Sequence, residues 1–148
     1  MHCKQPKFII VKSMTVQEVH QYLTSHDVKP SQQRVAIMQY LLEHHDHPDA
    51  EEIFENLLPS MPTLSKTTVY NTVKLFCDKK AANALYIDEK NVRYDGITLP
   101  HAHFKCKKCD SIYDIPLQET DALPFRGPDG FLPEEKQVYF LGMCKKCG

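Results

Sequence analysis

No run of apolar residues in this sequence is long enough to cross a bilayer, and that absence removes a first class of function. The only apolar run near the start, Phe8 to Val11, is also too short for the core of an export signal. No membrane role is expected, and the expected location is the cytoplasm. Positive charge is not in excess either: 18 Lys and Arg against 19 Asp and Glu leave a net charge of -1. With no global field to draw the chain to a polyanion, any nucleic-acid role must rest on local features. Repeats and low-complexity tracts are absent as well. A hydrophobic content of 42% in 148 residues is enough for a buried core, which excludes a disordered chain.

What is present begins with cysteine. Six of them in a chain without an export signal imply a reducing compartment, where paired thiols serve as metal ligands more readily than as disulfides. Cys106 and Cys109 form one C-x-x-C pair, and Cys144 and Cys147 form a second. Each turn can set two thiolates on one cation, and two turns complete a tetrahedral sulfur set that suits Zn2+ and leaves no open position. A closed site of that kind is structural. The gap between the pairs is longer than in a zinc ribbon, so the metal is expected to fasten the end of the chain to an earlier strand. Cys3 and Cys77 have no partner at ligand spacing, and Cys77 reads as a helix-end residue.

Helix signals fill the first part of the chain. Thr15 and Glu18 form a capping box ahead of Val16, Val19 and Leu23 at helical spacing. Ser31 caps a second helix with apolar Val35, Met38, Leu41 and Leu42, which ends in the polar run Glu43 to His47. Asp49 and Glu52 form another capping box, followed by Ile53, Phe54, Leu57 and Leu58 facing the core. A fourth helix starts at Ser65 and has two chemically distinct faces. Val69, Val73 and Phe76 make the apolar stripe; Lys66, Thr67, Tyr70, Asn71 and Lys74 lie opposite, without an acid among them. Spacing alone leaves that polar face readable as ordinary solvated surface. Strand-like runs at Leu85 to Ile87 and Val92 to Tyr94 flank a polar turn. Three helices, a polar-faced fourth and a hairpin make a winged helix. Gly96 to Pro100 reads as a linker. Beyond it come short strands at Ala102 to Lys105, Ser111 to Ile115 and Val138 to Gly142, with a segment rich in proline and glycine between Gln118 and Pro133. The expected fold class is therefore α+β: a winged-helix domain followed by a small α/β domain with a four-cysteine zinc site.

A second constellation is His101-x-His103, two imidazoles on one side of a strand. Asp95 lies just upstream, Asp114 on the next strand, and His47 in the turn between helices two and three. Three imidazoles and two carboxylates suit a divalent first-row metal such as iron or manganese. On spacing alone only the His101 and His103 pair suggests a site, and His47 reads as a solvated helix-end histidine, as do His44 and His45.

The ordered motifs Ser31-Gln32-Gln33-Arg34, His47-Pro48-Asp49-Ala50-Glu51-Glu52-Ile53, Thr68-Val69-Tyr70-Asn71, Arg93-Tyr94-Asp95, and His101-Ala102-His103 with the two cysteine pairs resemble the ferric uptake regulator (Fur) family over about residues 15 to 147. That resemblance implies a homodimeric transcription repressor that binds an AT-rich, pseudo-palindromic double-stranded operator when its regulatory metal is bound. It implies a regulatory site for Fe2+ or Mn2+ made of His47, Asp95, His101, His103 and Asp114, and structural Zn2+ on the four paired cysteines. Tyr70 resembles the family's base-contacting tyrosine and Arg34 its DNA-facing arginine. The implied division is an N-terminal extension over 1–14 with no assigned role, a DNA-binding domain over 15–95, a hinge over 96–100, and a dimerisation and metal-binding domain over 101–148.

Asn71 and Asp114 stand where iron-uptake repressors usually carry arginine and glutamate, and so favour the peroxide-sensing, PerR-like branch. In that branch iron-catalysed oxidation of His47 or His101 weakens metal binding and releases DNA. There is no turnover, so an enzyme is not expected. The alternatives are an iron, manganese or zinc uptake repressor of the same family, and more remotely a non-haem iron enzyme or a zinc-stapled protein-interaction module. The sequence departs from the family at Gln32, where a proline is usual, and at Lys80 and Asp110, where glycines are usual. These are turn positions, not ligands. With only His101 and His103 as histidines after Asp95, no additional histidine-rich metal site is expected.

Overall fold

The computed structural model describes residues 13–118 and 124–148, which divide into two compact units, one ending at Leu99 and the other beginning at Pro100. No helix among the described residues is long and apolar enough to cross a membrane.

The first unit is built on four capped helices: α1 (Val16–Ser25), α2 (Gln32–Glu43), α3 (Ala50–Leu57) and α4 (Lys66–Asp78). Each begins where a side-chain oxygen satisfies a free amide. Thr15 and Asp49 make complete capping boxes with Glu18 and Glu52, and Ser31 and Ser65 accept from the amides of Arg34 and Thr68. Helix α2 buries Val35, Ile37, Met38, Leu41 and Leu42, positions that span more than one face. A helix with so wide an apolar surface sits at the centre of its domain. Helix α4 opens with Thr67, Thr68 and Val69, poor helix formers whose stiffness is offset by full burial of Val69, Val73 and Phe76. Two apolar residues expected in the core lie outside it: Val16 is 55% exposed and Leu58 36%. Both stand at helix ends, where the chain is leaving the packed face.

The wing hairpin pairs β1 (Asn83–Leu85) with β2 (Arg93–Asp95), Asn83 opposite Asp95. The sequence placed the first strand two residues later because Leu85 to Ile87 is the more apolar run. In the structure Ile87 is buried without joining the ladder, while Tyr86 is 65% exposed. Pairing begins early because the chain reverses sharply after α4. Lys80 adopts a left-handed φ of 59° and the Ala81 amide donates to the Phe76 carbonyl at 2.8 Å.

In the second unit β3 (His101–Cys106) is the central strand of a three-stranded sheet. It pairs antiparallel with β4 (Ile112–Pro116), His103 opposite Asp114, and parallel with β5 (Tyr139–Gly142), Cys106 opposite Gly142. A parallel pair needs a long crossover, and the proline- and glycine-rich stretch supplies it. Part of that stretch, residues 119–123, lies outside the described residues. Strand β5 forms an edge, with Phe140 49% and Leu141 60% exposed. Apolar edges of that kind are pairing surfaces.

The two turns that lack the family's glycine keep the glycine conformation: φ is 59° at Lys80 and 57° at Asp110. A left-handed side-chain-bearing residue costs about 1–2 kcal/mol, against about 0.5–1 kcal/mol of unfolded-state entropy that glycine adds. Lys80→Gly should therefore stabilise the first unit by roughly 0.5–1 kcal/mol in urea unfolding. Equal or lower stability would mean that the turn is not strained.

Candidate metal centres

The parallel alignment of β5 on β3 explains the cysteine cluster. Both strands end on the same side of the sheet, and each runs straight into a C-x-x-C turn. The four sulfurs of Cys106, Cys109, Cys144 and Cys147 lie within 4.8 Å of one another, with Cys106 and Cys144 buried. Four sulfurs at 2.3 Å from a central ion in tetrahedral array stand about 3.8 Å apart; Cys109 Sγ and Cys144 Sγ are 3.9 Å apart. The Cys144 amide donates to Cys106 Sγ at 3.4 Å, and Ser111 Oγ lies 3.3 Å from Cys109 Sγ.

Sulfurs this close cannot titrate independently. The Tyr113 hydroxyl beside Cys144 pulls that thiol down to about 6, and Ser111 lowers Cys109. Cys147 is pushed up to about 12, chiefly by its hydrogen bond with Cys144. One anion thus holds its neighbour's proton in place. A divalent cation at the centre removes that competition by taking all four as thiolates. The donor set fits zinc and offers no open position.

On the same sheet the ladder places His103 opposite Asp114, with His101 two residues away on the same face. His101 Nε2 and His103 Nε2 lie 3.2 and 3.3 Å from the same oxygen, Asp114 Oδ1. The two rings meet edge to face at 4.5 Å, and all three side chains are buried. Donors about 2.1 Å from a common ion at right angles would stand about 3 Å apart, so these three fit one face of an octahedral site.

The first unit contributes a second, smaller set. His47 Nε2 lies 3.6 Å from Asp95 Oδ2, with the two side chains 1% and 5% exposed. His47 sits in the turn after α2 with a left-handed φ of 57°, and is the buried one of the four non-glycine residues with positive φ among those described. Strain of this sort persists where surrounding contacts over-determine the turn. Here the Tyr94 amide donates to the Pro48 carbonyl at 3.0 Å, and Arg93 Nη1 donates to the His47 carbonyl at 3.3 Å. Asp95 is held too: the Ile97 amide donates to its Oδ1 at 2.8 Å, which leaves Oδ2 facing His47. Apart from the family motif, nothing local in the sequence points to the burial of His47 or to the contacts of Arg93 and Tyr113.

The polar face of α4 is open. Lys66, Thr67, Tyr70, Asn71 and Lys74 are all exposed, and Tyr70 presents 51% of its surface. Lys66 Nζ is paired with Glu51 at 2.6 Å. Arg34 is half-buried and donates to the Lys29 carbonyl at 2.8 Å.

A sequence model described as the ferric uptake regulator family matches residues 25–127. The peroxide-responsive repressor PerR of Staphylococcus epidermidis is 35% identical over 123 residues, 81% of this chain and 81% of that protein. PerR of Staphylococcus aureus strain USA300 is 33% identical over 81% of this chain and 82% of its own length. Among solved structures, the Helicobacter pylori ferric uptake regulator Fur superposes with a TM-score of 0.66 at 17% identity, covering 93% of this chain and 97% of its own. PerR from Streptococcus pyogenes does so at 0.51 and 24% identity, covering 93% and 96%. These likenesses establish the fold: a winged helix followed by a small α/β domain.

Cys144→Ser and Cys106→Ser should each lower bound zinc from one equivalent per chain to well below half, because binding and folding of the second unit are one equilibrium. Elemental analysis of purified protein reads this directly. Full zinc in either variant would reject the four-sulfur site.

Proposed function

The chain belongs to the ferric uptake regulator family, and on that footing we propose that it is a homodimeric repressor that holds operator DNA while a regulatory iron or manganese ion is bound and releases it on reaction with hydrogen peroxide. Members of this family are metal-responsive transcriptional regulators and not enzymes. The observation that carries the finer reading is the convergence of two imidazoles on one oxygen of Asp114.

In this reading His101, His103 and Asp114 from the second unit and His47 and Asp95 from the first are ligands of a single ion. Five protein ligands leave one position of an octahedron for a small molecule. Iron(II) held by these residues would catalyse cleavage of the O–O bond of peroxide, the two electrons coming overall from the adjacent imidazole. The ring of His47 or His101 gains one oxygen atom, and water is the other product. An oxidised imidazole is a poor ligand, so the two units lose their shared tie. Because the ligands come from both units, metal occupancy governs how the DNA-binding faces of a dimer are presented.

Helix α4 carries the DNA face, with Tyr70 and Asn71 toward bases and Lys66, Thr67 and Lys74 toward phosphates, supported by Arg34. Lys66 exchanges its exposed ion pair with Glu51 for phosphate at little cost, since water and salt screen such a pair. The apolar edge of β5 supplies the surface on which two copies pair. Relatives that are 33–35% identical are peroxide-responsive repressors, and Asn71 and Asp114 favour the same branch. The absence of a long apolar helix among the described residues fits a cytoplasmic role.

The test is mass spectrometry of the zinc-containing, iron-loaded protein after a mild dose of hydrogen peroxide. A mass gain of one oxygen is expected on the peptide holding His47 or His101, with loss of operator affinity in step, and manganese-loaded protein should keep both imidazoles. Intact imidazoles and undiminished DNA binding in the iron form would reassign the chain as a metal-uptake repressor.

A further inference from the structure

One half-buried cation in the first unit, Arg93, is tied to the ligand turn, the wing and a helix start at once. Arg93 is 19% exposed, and its guanidinium reaches three acceptors on three separate segments. Nη1 donates to the His47 carbonyl at 3.3 Å and to Glu52 Oε2 at 3.1 Å, and Nε donates to Asp88 Oδ2 at 3.0 Å. The Glu52 oxygen is already engaged, because it accepts the Asp49 amide at 2.9 Å as half of the α3 capping box. Asp88 is the pivot of the wing turn, where its Oδ1 accepts the Lys90 amide at 3.0 Å. A single planar fork thus joins the wing, the start of α3 and the left-handed turn that carries His47.

We propose that Arg93 is the positioning residue of the His47 and Asp95 pair, and that through it the wing and α3 respond to the occupancy of that pair. The proposal rests on the metal-site reading above. Three features support it. Arg93 lies two residues before Asp95 on β2, so one short strand carries both the ligand and the clamp on the other ligand's turn. His47 sits in a conformation that a side-chain-bearing residue disfavours, and a charged donor on its own carbonyl opposes relaxation of the turn. Helix α3 in turn packs directly against α4, whose opposite face carries the exposed Tyr70. A change in the turn therefore has a route, through Glu52 and α3, to the exposed face that carries Tyr70. Lysine cannot replace the fork, because it offers one point charge where three acceptors lie in different directions.

Cobalt(II) alone, titrated into the zinc-containing protein and followed by its visible absorption, is the probe. Supporting groups of this kind are worth tenfold or more in metal affinity, so Arg93→Gln and Arg93→Lys should each weaken cobalt binding about tenfold and alter its band pattern. Asp88→Asn leaves the two bonds of Nη1 in place and should weaken binding only about threefold, the share of one hydrogen bond. This milder variant keeps the proposal open to refutation if loss of Arg93 prevents folding. In the cobalt-free protein, hydrogen exchange at the Tyr94 and Glu52 amides should quicken about tenfold in Arg93→Gln. Faster exchange with unchanged cobalt affinity and spectrum would make Arg93 a fold stabiliser and overturn the proposal; unchanged exchange and binding would do so as well. If the unaltered protein takes up no cobalt beyond its zinc, the metal-site reading fails first and takes this inference with it.

Discussion

The second unit depends on the parallel pairing of β5 with β3. Among its described residues the buried apolar ones are few, Ala102 and Ile112 beside the cysteines Cys106 and Cys144, while His103 and Asp114 occupy interior positions that a larger domain would give to aliphatic side chains. A unit with so little apolar interior cannot pay for its own chain entropy by burial alone. Parallel pairing sets Cys106 opposite Gly142 and so sends both strands into their C-x-x-C turns at one place. Zinc then closes a long loop of chain and supplies the stability that the core lacks. The same central strand carries His101 and His103, so the cysteine cluster and the proposed regulatory ligands share one support.

The first unit has the opposite economy. Valine, leucine, isoleucine, methionine and phenylalanine side chains fill it, with Val69, Val73 and Phe76 at no measurable exposure. That core can hold turns in an unfavourable conformation, among them the buried one at His47. The turn is fixed from outside by Arg93 and by the Tyr94 amide, and Asp95 is aimed by the Ile97 amide. In the proposed sensor, rigid support of this kind would hold His47 and Asp95 in one geometry.

Much of this was legible in the sequence because caps, cysteine spacing and alternation act locally. Thr15, Ser31, Asp49 and Ser65 each start the helix their chemistry predicts. The alternation His101-x-His103 put both imidazoles on one face, and the ladder brought Asp114 to them. What could not be read depends on contacts distant in sequence. Leu85 to Ile87 is apolar enough for a strand, yet pairing is set by the sharp reversal at Lys80, which takes a left-handed turn without glycine. Local pattern is equally blind to the burial of His47 and to the three-way role of Arg93, since Asp95 faces His47 from far along the chain and the His47 carbonyl lies 46 positions from Arg93. The family motifs supplied His47 where periodicity did not.

In the proposed function, metal occupancy and DNA binding are two readings of one equilibrium. Linkage makes that claim symmetric: a metal that tightens DNA binding must itself be tightened by DNA, by the same factor. Manganese should therefore be titrated into the zinc-containing protein, by calorimetry, with and without an AT-rich pseudo-palindromic duplex. The account predicts that the duplex strengthens manganese binding by about 5- to 150-fold, matching the gain in DNA affinity that manganese produces. Manganese affinity that is the same with and without the duplex would contradict it.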